Sequence, residues 1–385
     1  MHLNEPRAEH IKRIQERYRQ ADKRTKTSIL TEFCLSWGVD RKYAIKLLQG
    51  KRGLPGKKGG RKSKYDQRLI AHLLSLWNSM ERIHPKRMKA ALPLWIEFYR
   101  HPEFNEDLKR QLLAMSASTI SRFIKQGRSQ CRGISLTKRT KFFKYRIPLT
   151  NLNEKIVKIG HVAADTVAHC GDNIAGRFVW SLTLTDRITG WTNNRAMPEK
   201  TGKAVRKAMS CIEQELPFQI KSIQTDCGNE FLNYTVMRYF GNRPAPVIMS
   251  RSRPYQKNDN AVVEQKNYTH VRELFGYERI GDTSLCDYMN MIYQEFWNPL
   301  NNFFLPQMQI TTKERIGSRI KKTYDVPQTP FERLKKCGQI SEERIAQLEL
   351  QMKSLNPFAL KGALDAKLHY FFRVLLKGRS EQNVA

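Results

Sequence analysis

This sequence has few cysteines and no long apolar run, and each of these facts excludes some classes of protein. The seven cysteines form no C-x-x-C pair and no short cluster with histidine, so the zinc modules built on such spacings are excluded. An odd count at scattered positions indicates reduced thiols rather than a disulfide framework. No apolar run approaches the roughly 20 residues of a membrane span, and no stretch near the first residue resembles a signal peptide. We therefore expect a cytoplasmic protein.

Acidic residues are also scarce, at 36 against 68 lysines and arginines, which leaves a net charge of +32. The excess is concentrated in residues 1–150, where 35 basic and 12 acidic side chains give +23. Solubility needs only a modest net charge, so an excess of this size in one region indicates a polyanionic partner. Double-stranded DNA is the partner we expect, which in a bacterium would bring the protein to the nucleoid. Ribosomal or membrane-surface association is the alternative.

Residues 1–50 are predicted to form a helix-turn-helix domain that binds DNA. An apolar stripe with helical spacing runs from Ile29 to Trp37, and Gly38 then ends it. Asp40 is suited to cap a second helix. The outward face of that helix carries three cations, Arg41, Lys42 and Lys46. An ordinary helical hairpin would give the same pattern, but the surrounding positive charge favours DNA binding.

Two basic linkers, residues 51–65 and residues 127–154, are predicted to lie along a DNA backbone. The first contains seven lysines and arginines, four glycines and no acid, so it cannot bury enough apolar surface to fold alone. The second interleaves cations with aromatic rings over residues 138–146. A plain solvated linker and an edge strand of the next domain, respectively, are the alternatives. The candidate DNA contacts are Lys57, Lys58, Arg61, Lys62, Arg139, Lys141 and Lys144.

Residues 66–126 are predicted to form a second helical, helix-turn-helix-like domain. Its last helix follows Ser116 or Ser118, either of which is suited to cap it. The spacing places Ile120, Phe123 and Ile124 on the inward face. The outward face, which would meet DNA, is predicted to carry Thr119, Arg122 and Lys125.

Residues 155–285 change to a pattern of strands followed by helices. Strands are predicted over residues 161–168, 177–185, 191–197, 220–225 and 247–249, and helices over residues 199–215, 230–240 and 259–275. Strands that first form hairpins and then alternate with helices indicate an α/β domain with a mixed sheet. The chain as a whole is thus predicted to be multidomain, with α-helical domains preceding this core.

Three acids in the core lie in sequence contexts that suit a divalent-metal site. Asp165 and Asp226, 61 residues apart, each end an apolar run and should lie at or near the ends of adjacent strands. Glu264, a further 38 residues on, lies one turn inside the last predicted helix. Carboxylate oxygens suit Mg²⁺ or Mn²⁺. Two such ions would serve to activate an attacking oxygen and to stabilise a leaving one.

The motifs around these acids resemble a known family. Residues 164–167 (ADTV), 224–231 (QTDCGNEF) and 258–266 (NDNAVVEQK) look like the three blocks of bacterial insertion-sequence DDE transposases, which have a retroviral-integrase-type core. The resemblance covers residues 155–285 and extends to residues 323–331. It implies an RNase H-like fold and gives Asp165, Asp226 and Glu264 the catalytic and metal-ligand roles. It also implies 3′-end cleavage by water, attack of the freed 3′-OH on target DNA, and a homo-oligomer assembled on paired DNA ends.

Several neighbouring residues have competing interpretations. A turn explains Asp172 and Asp186, and a helix cap explains Asp259, so these acids are not expected to bind the metal. Glu230 is expected to orient Asp226 or to cap the following helix. Asn267 shares a helix face with Glu264. Further candidates are Arg253 and Lys257 as DNA contacts in a loop, and His270 and Arg272 as phosphate contacts or solvated surface.

Residues 286–385 are less informative, and a mainly helical or mixed region is expected. A helix is predicted over residues 341–355, and residues 368–376 fit either a strand or a helix. Three functions remain open on sequence: an active transposase, a DNA-binding regulator derived from one, and a nuclease of the same fold. The complete set of three acids favours the first over the second. The two predicted sequence-reading domains argue against the third.

Overall fold

The computed structural model describes residues 5–51, 65, 67–124, 158–226, 228–252, 261–316 and 319–382. The chain divides into two compact units, Met1–Asp66 and Gln67–Ala385. Residues 52–64 of the first predicted basic linker lie outside the described residues. The whole of the second linker, residues 127–154, also lies outside them. The finer division into six segments stays a prediction.

The first unit consists of three helices, α1 (Glu5–Gln20), α2 (Lys23–Trp37) and α3 (Arg41–Leu48). The turn between α2 and α3 is the predicted one: Gly38 has a φ of 59°, which favours glycine. The Asp40 carboxylate accepts hydrogen bonds from the backbone N–H groups of Lys42 (2.8 Å) and Tyr43 (3.4 Å) and so caps α3. The core combines residues from all three helices: Ile11, Tyr18, Ile29, Leu30, Phe33, Ala44, Leu47 and Leu48.

The second unit begins with four helices, α4 (Gln67–Ser79), α5 (Pro85–Ile96), α6 (Glu106–Ala114) and α7 (Ala117–Ile124). Ser116 caps α7, because its hydroxyl accepts from the Thr119 N–H at 3.2 Å. The prediction that Thr119 faces outward is wrong: its side chain is buried and its hydroxyl lies 3.0 Å from that of Ser116. These helices pack on later parts of the same unit, since the Trp95 indole donates to the Phe304 carbonyl at 3.0 Å.

The core sheet has five strands: β1 (His161–Ala168), β2 (Trp180–Asp186), β3 (Thr192–Met197), β4 (Ser222–Thr225) and β5 (Ile248–Arg251). Their order across the sheet is β3-β2-β1-β4-β5. The first three strands are antiparallel, whereas β4 and β5 run parallel to β1. The predicted mixed sheet, which follows a helical region, is therefore confirmed.

Helices flank this sheet. Helix α8 (Gly202–Glu215) packs on β3, and α9 (Tyr234–Gly241) packs on α8 and β5. Both begin later than predicted because Thr201 and Asn233 supply the caps, each accepting from a backbone N–H three residues on. The helix predicted over residues 259–275 is divided into α10 (Ala261–Lys266), a π-helical segment (Asn267–Arg272) and α11 (Glu273–Phe275).

The remainder of the unit is mainly helical, with one hairpin. Helix α12 (Leu285–Met291) continues into π-helical segments at Ile292–Trp297 and Leu300–Phe304, whose aromatic side chains are buried except for the half-buried Phe296. An antiparallel hairpin of β6 (Ile310–Ile316) and β7 (Arg319–Tyr324) follows, and it was not predicted. Three helices complete the unit: α13 (Pro330–Lys336), α14 (Glu342–Ser354) and α15 (Pro357–Gln382). Residues 368–376 are thus helical.

None of the helices formed by the described residues combines the length and the apolar character that a bilayer crossing requires. The five cysteines among the described residues are free thiols: Cys34, Cys170, Cys211, Cys286 and Cys337. This agrees with the expectation of reduced cysteines.

Candidate active site

Asp165 and Asp226 lie at neighbouring positions on two adjacent strands. Asp165 is within β1, and Asp226 directly follows β4. The parallel register pairs Ala164 with Thr225. Asp165 and Asp226 each come one residue later, so they lie opposite each other. Adjacent strands are separated by about 4.8 Å. The structure therefore brings together the first two acids that the sequence singled out.

The two carboxyl groups act on each other electrostatically. Burial, followed by the neighbouring Asp226 carboxylate, raises the pKa of Asp165 to about 7. Burial and the nearby Glu230 carboxylate raise the pKa of Asp226. Bringing like charges together in a partly desolvated place disfavours the ionised forms. A divalent cation between the carboxylates would remove that penalty, which is the electrostatic signature of an acidic metal site.

Glu230 is a third carboxylate beside this pair, and its own contacts hold it in place. It is buried, accepts a hydrogen bond from the Thr166 hydroxyl at 2.9 Å and pairs with the Lys200 ammonium at 2.8 Å. Lys200 also lies over the Trp180 ring, 4.6 Å from its centroid. Its charge lowers the pKa of both Asp165 and Asp226 and so partly opposes their mutual repulsion.

Gly228 makes room for this arrangement. A Cβ at Gly228 would lie 2.3 Å from a carboxylate oxygen of Glu230, a distance at which one of the two groups must move. The Gly228 N–H meanwhile donates to the Asp226 carboxylate at 2.9 Å. The spacing D-x-G-x-E thus has a local physical reason. Glu230 was expected to orient Asp226 or cap a helix; instead it links Thr166 and Lys200, and Asn233 caps the helix.

Glu264 lies on α10, which packs against β1 and β2. The side chain of Glu264 is outside the described residues, so its assignment stays a prediction. Asn267, three residues later, donates from its amide nitrogen to the Asp165 carboxylate at 2.7 Å. The chain segment that carries Glu264 is therefore fixed directly beside Asp165.

The donor chemistry of this place fits a magnesium or manganese ion. Among the described residues, no three His, Cys, Asp or Glu side chains are grouped so as to hold a metal by themselves. The amide oxygen of Asn267 is buried and has no hydrogen-bond partner within the described part of the chain. Two aspartates with raised pKa values and an unsatisfied amide oxygen form a set of hard oxygen donors. Glu264 is the residue that would complete it.

The competing acids are explained otherwise. Asp186 is buried and accepts hydrogen bonds from the N–H groups of Gly160, Ile188 and Thr189 and from the Thr189 hydroxyl, all at 2.8–3.2 Å. Its oxygens are committed to the turn between β2 and β3, as predicted. Asp172 is exposed in a turn. Asp259 lies outside the described residues.

The predicted DNA contacts fall into three groups. Arg41, Lys42 and Lys46 are exposed on α3, and Arg122 is exposed on α7. His270 is neither a phosphate contact nor solvated surface, because it is buried and its ring lies 3.2 Å from the Asn194 amide oxygen. The contacts that lie outside the described residues are Lys57, Lys58, Arg61, Lys62, Lys125, Arg139, Lys141, Lys144, Arg253 and Lys257.

Comparison with known proteins identifies a relative of similar length. The sequence is 30% identical over 333 residues to the uncharacterized protein y4rM of Sinorhizobium fredii (strain NBRC 101917 / NGR234), covering 85% of this chain and 94% of y4rM. The chain belongs to the y4rM family. Because y4rM is itself uncharacterized, membership of the y4rM family assigns no activity. No protein-family model matches the sequence.

Solved structures similar to this member of the y4rM family include two retroviral proteins. The crystal structure of the catalytic core domain of BIV integrase is 14% identical, covers 28% of this chain and 62% of its own, and has a TM-score of 0.23. The simian T-cell lymphotropic virus intasome in complex with PP2A regulatory subunit B56 gamma is 12% identical, covers 43% and 54%, and has a TM-score of 0.28. Likenesses with TM-scores this low establish neither the fold family nor the activity of this chain.

Proposed function

We propose that this protein is a DNA transposase that recognises the terminal repeats of an insertion sequence, cleaves their 3′ ends and joins them to target DNA. The observation that carries the proposal is the juxtaposition of Asp165 and Asp226 on adjacent strands, with Asn267 of the Glu264 segment donating to Asp165. An acidic cluster of this kind, in a strongly basic chain, suits phosphodiester chemistry better than any other reaction.

The chain's own residues would hold and orient the reacting groups. Asp165, Asp226 and Glu264 are the proposed ligands for two Mg²⁺ or Mn²⁺ ions. When bound, such ions would activate the attacking oxygen and stabilise the leaving oxygen. Asn267 fixes the orientation of one Asp165 oxygen, and the Lys200–Glu230 pair limits the negative charge beside the site. No covalent protein–DNA intermediate is needed, because water and then the freed 3′-OH are the attacking groups.

The helical regions would supply recognition. Exposed cations on α3 and α7 are suitably placed to meet phosphates and base edges, if each helix enters a DNA groove. We further propose that the protein works as a homo-oligomer on paired ends, in the cytoplasm close to the nucleoid.

Incubating the full-length chain with duplex DNA from the two flanks of its gene tests this function. We expect Mg²⁺-dependent nicking at one discrete position per flank, with a 3′-OH product that becomes joined to an added plasmid. EDTA should abolish both steps. Specific binding to the flanks without any nick in Mg²⁺ or Mn²⁺ would contradict the proposal and would support the regulator instead.

A further inference from the structure

The β6–β7 hairpin has the features of a surface that awaits a partner. Every side chain described in the two strands is exposed, including Ile316 at 60% and Tyr324 at 47% of full exposure. Because neighbouring residues of a strand point to opposite faces, exposure of all of them leaves both faces of the hairpin uncovered. An isolated two-stranded hairpin is only marginally stable in water. A hairpin kept in this state is best explained by a ligand that covers it.

The base of the hairpin, in contrast, is firmly held. The Asp325 carboxylate accepts from the Gln309 N–H at 2.7 Å and pairs with Arg333 at 2.6 Å. The Gln309 side-chain amide donates to the Ile188 carbonyl at 2.9 Å in the turn between β2 and β3. The hairpin therefore starts from a rigid anchor on the core domain rather than from a loose loop.

The same anchor reaches the helix of the candidate active site. Gln307 and Gln328 form a β-bridge just beyond the hairpin. The Gln307 side chain accepts a hydrogen bond from the ammonium of Lys266, a residue of α10 two positions after Glu264. A partner seated on the hairpin would thus lie on an element that is attached directly to the Glu264 helix.

The charge of the hairpin identifies the partner. Residues 310–324 contain five lysines and arginines and a single acid. Arg315 and Lys322 share one face of the ribbon by register, while Lys321 and Glu314 pair on the other. All four of these side chains are exposed. A hairpin with this net positive charge suits a polyanion and disfavours a second copy of this basic chain.

We infer that the β6–β7 hairpin binds duplex DNA as a two-stranded ribbon. The major groove, about 12 Å wide, admits a ribbon of this kind, and the cations along it would neutralise phosphates. The inference deepens the proposed function and rests on DNA being the substrate, but it does not depend on catalysis. It assigns the DNA-binding role to an element that no sequence motif indicated.

The test compares Arg315→Ala/Lys322→Ala with the matched control Lys336→Ala/Lys353→Ala, whose lysines are exposed on α13 and α14. Both variants of the full chain lose two positive charges. Affinity for a fluorescent 30-base-pair duplex of unrelated sequence is measured by anisotropy in EDTA over a series of NaCl concentrations. We expect the slope of log K against log[NaCl] to become less steep by about two for the hairpin variant alone, with roughly 50-fold weaker binding near 0.1 M salt.

An equal slope in the two variants would overturn the inference, as would a changed oligomeric state without a change in slope. If the double variant folds poorly, a second test uses the wild-type chain, in which the acetylation of surface lysines is measured by mass spectrometry. Lys321 and Lys322 should be modified in the free protein and protected by the duplex; equal modification with and without DNA would overturn the inference. Because these measurements contain no divalent metal, they succeed or fail independently of strand cleavage.

Discussion

Asp226→Asn is expected to lower the rate of metal-dependent DNA cleavage by about 10³-fold or more. The substitution keeps the shape of the side chain but removes the negative charge through which the carboxylate attracts a divalent cation. Asp226 lies beside Asp165 and within the field of Glu230, so the loss would fall at the centre of the acidic cluster. DNA affinity should stay within about twofold, because phosphate contacts are made by cations elsewhere. Gel shift and strand transfer are measured on the same preparation.

Asp172→Asn is the matched control for this experiment. It makes the same change in charge at an exposed turn of the same domain, and it should leave the cleavage rate unchanged. If Asp226→Asn retains cleavage, the assignment of the site is wrong. If both variants lose cleavage equally, the effect is one of overall charge and says nothing for a metal ligand at Asp226.

Removing residues 1–65 is expected to cause the largest loss of DNA binding. These residues contain 18 basic and 6 acidic side chains and include the whole of the α2–turn–α3 pair. Discrimination between the gene-flanking duplex and an unrelated duplex should fall by about 100-fold or more, because base contacts carry sequence specificity. The salt dependence of the remaining affinity should flatten as fewer phosphates are neutralised.

The truncation leaves the second compact unit, residues 67–385, intact, so thermal melting of that unit serves as the control. A normal melting transition with an unchanged salt dependence of DNA affinity would show that the first unit is not the main DNA-binding element. A normal transition with a flattened slope but unchanged discrimination would show that α3 binds phosphates without reading sequence. These outcomes therefore distinguish phosphate binding by positive charge from recognition of the base sequence.

The elements that were predicted correctly from the sequence are buried on one face or on both faces. Strand β1 was predicted at its observed bounds, and β4 within two residues; both strands are largely buried, and β1 contains an apolar run at residues 162–164. The turn at Gly38 and the cap at Asp40 were predicted because each depends on a single local backbone requirement. That Asp165 and Asp226 lie on adjacent strand segments was predicted, whereas the parallel register that sets them side by side was not.

The parts that were not predicted depend on contacts between distant residues. Strands β6 and β7 are exposed on both faces and rich in charge, so they lack the apolar alternation by which a strand is recognised. Lys200 and Thr166 meet Glu230 only after β1, β3 and β4 assemble, and no local spacing indicates that ion pair. Thr119 and His270 were expected to be accessible, yet both are buried, and each has a polar side chain within hydrogen-bond distance.

Manganese titration is the most direct test of the site, with free Mn²⁺ followed by electron paramagnetic resonance in the presence of duplex DNA and a DNA-only blank. The account predicts that the wild-type chain removes two ions per chain from solution, and that Glu264→Gln weakens the binding of at least one of them by about tenfold. Asp172→Asn should titrate like the wild type. Identical titrations of the wild type and Glu264→Gln, or no uptake of Mn²⁺ beyond the blank, would contradict the account.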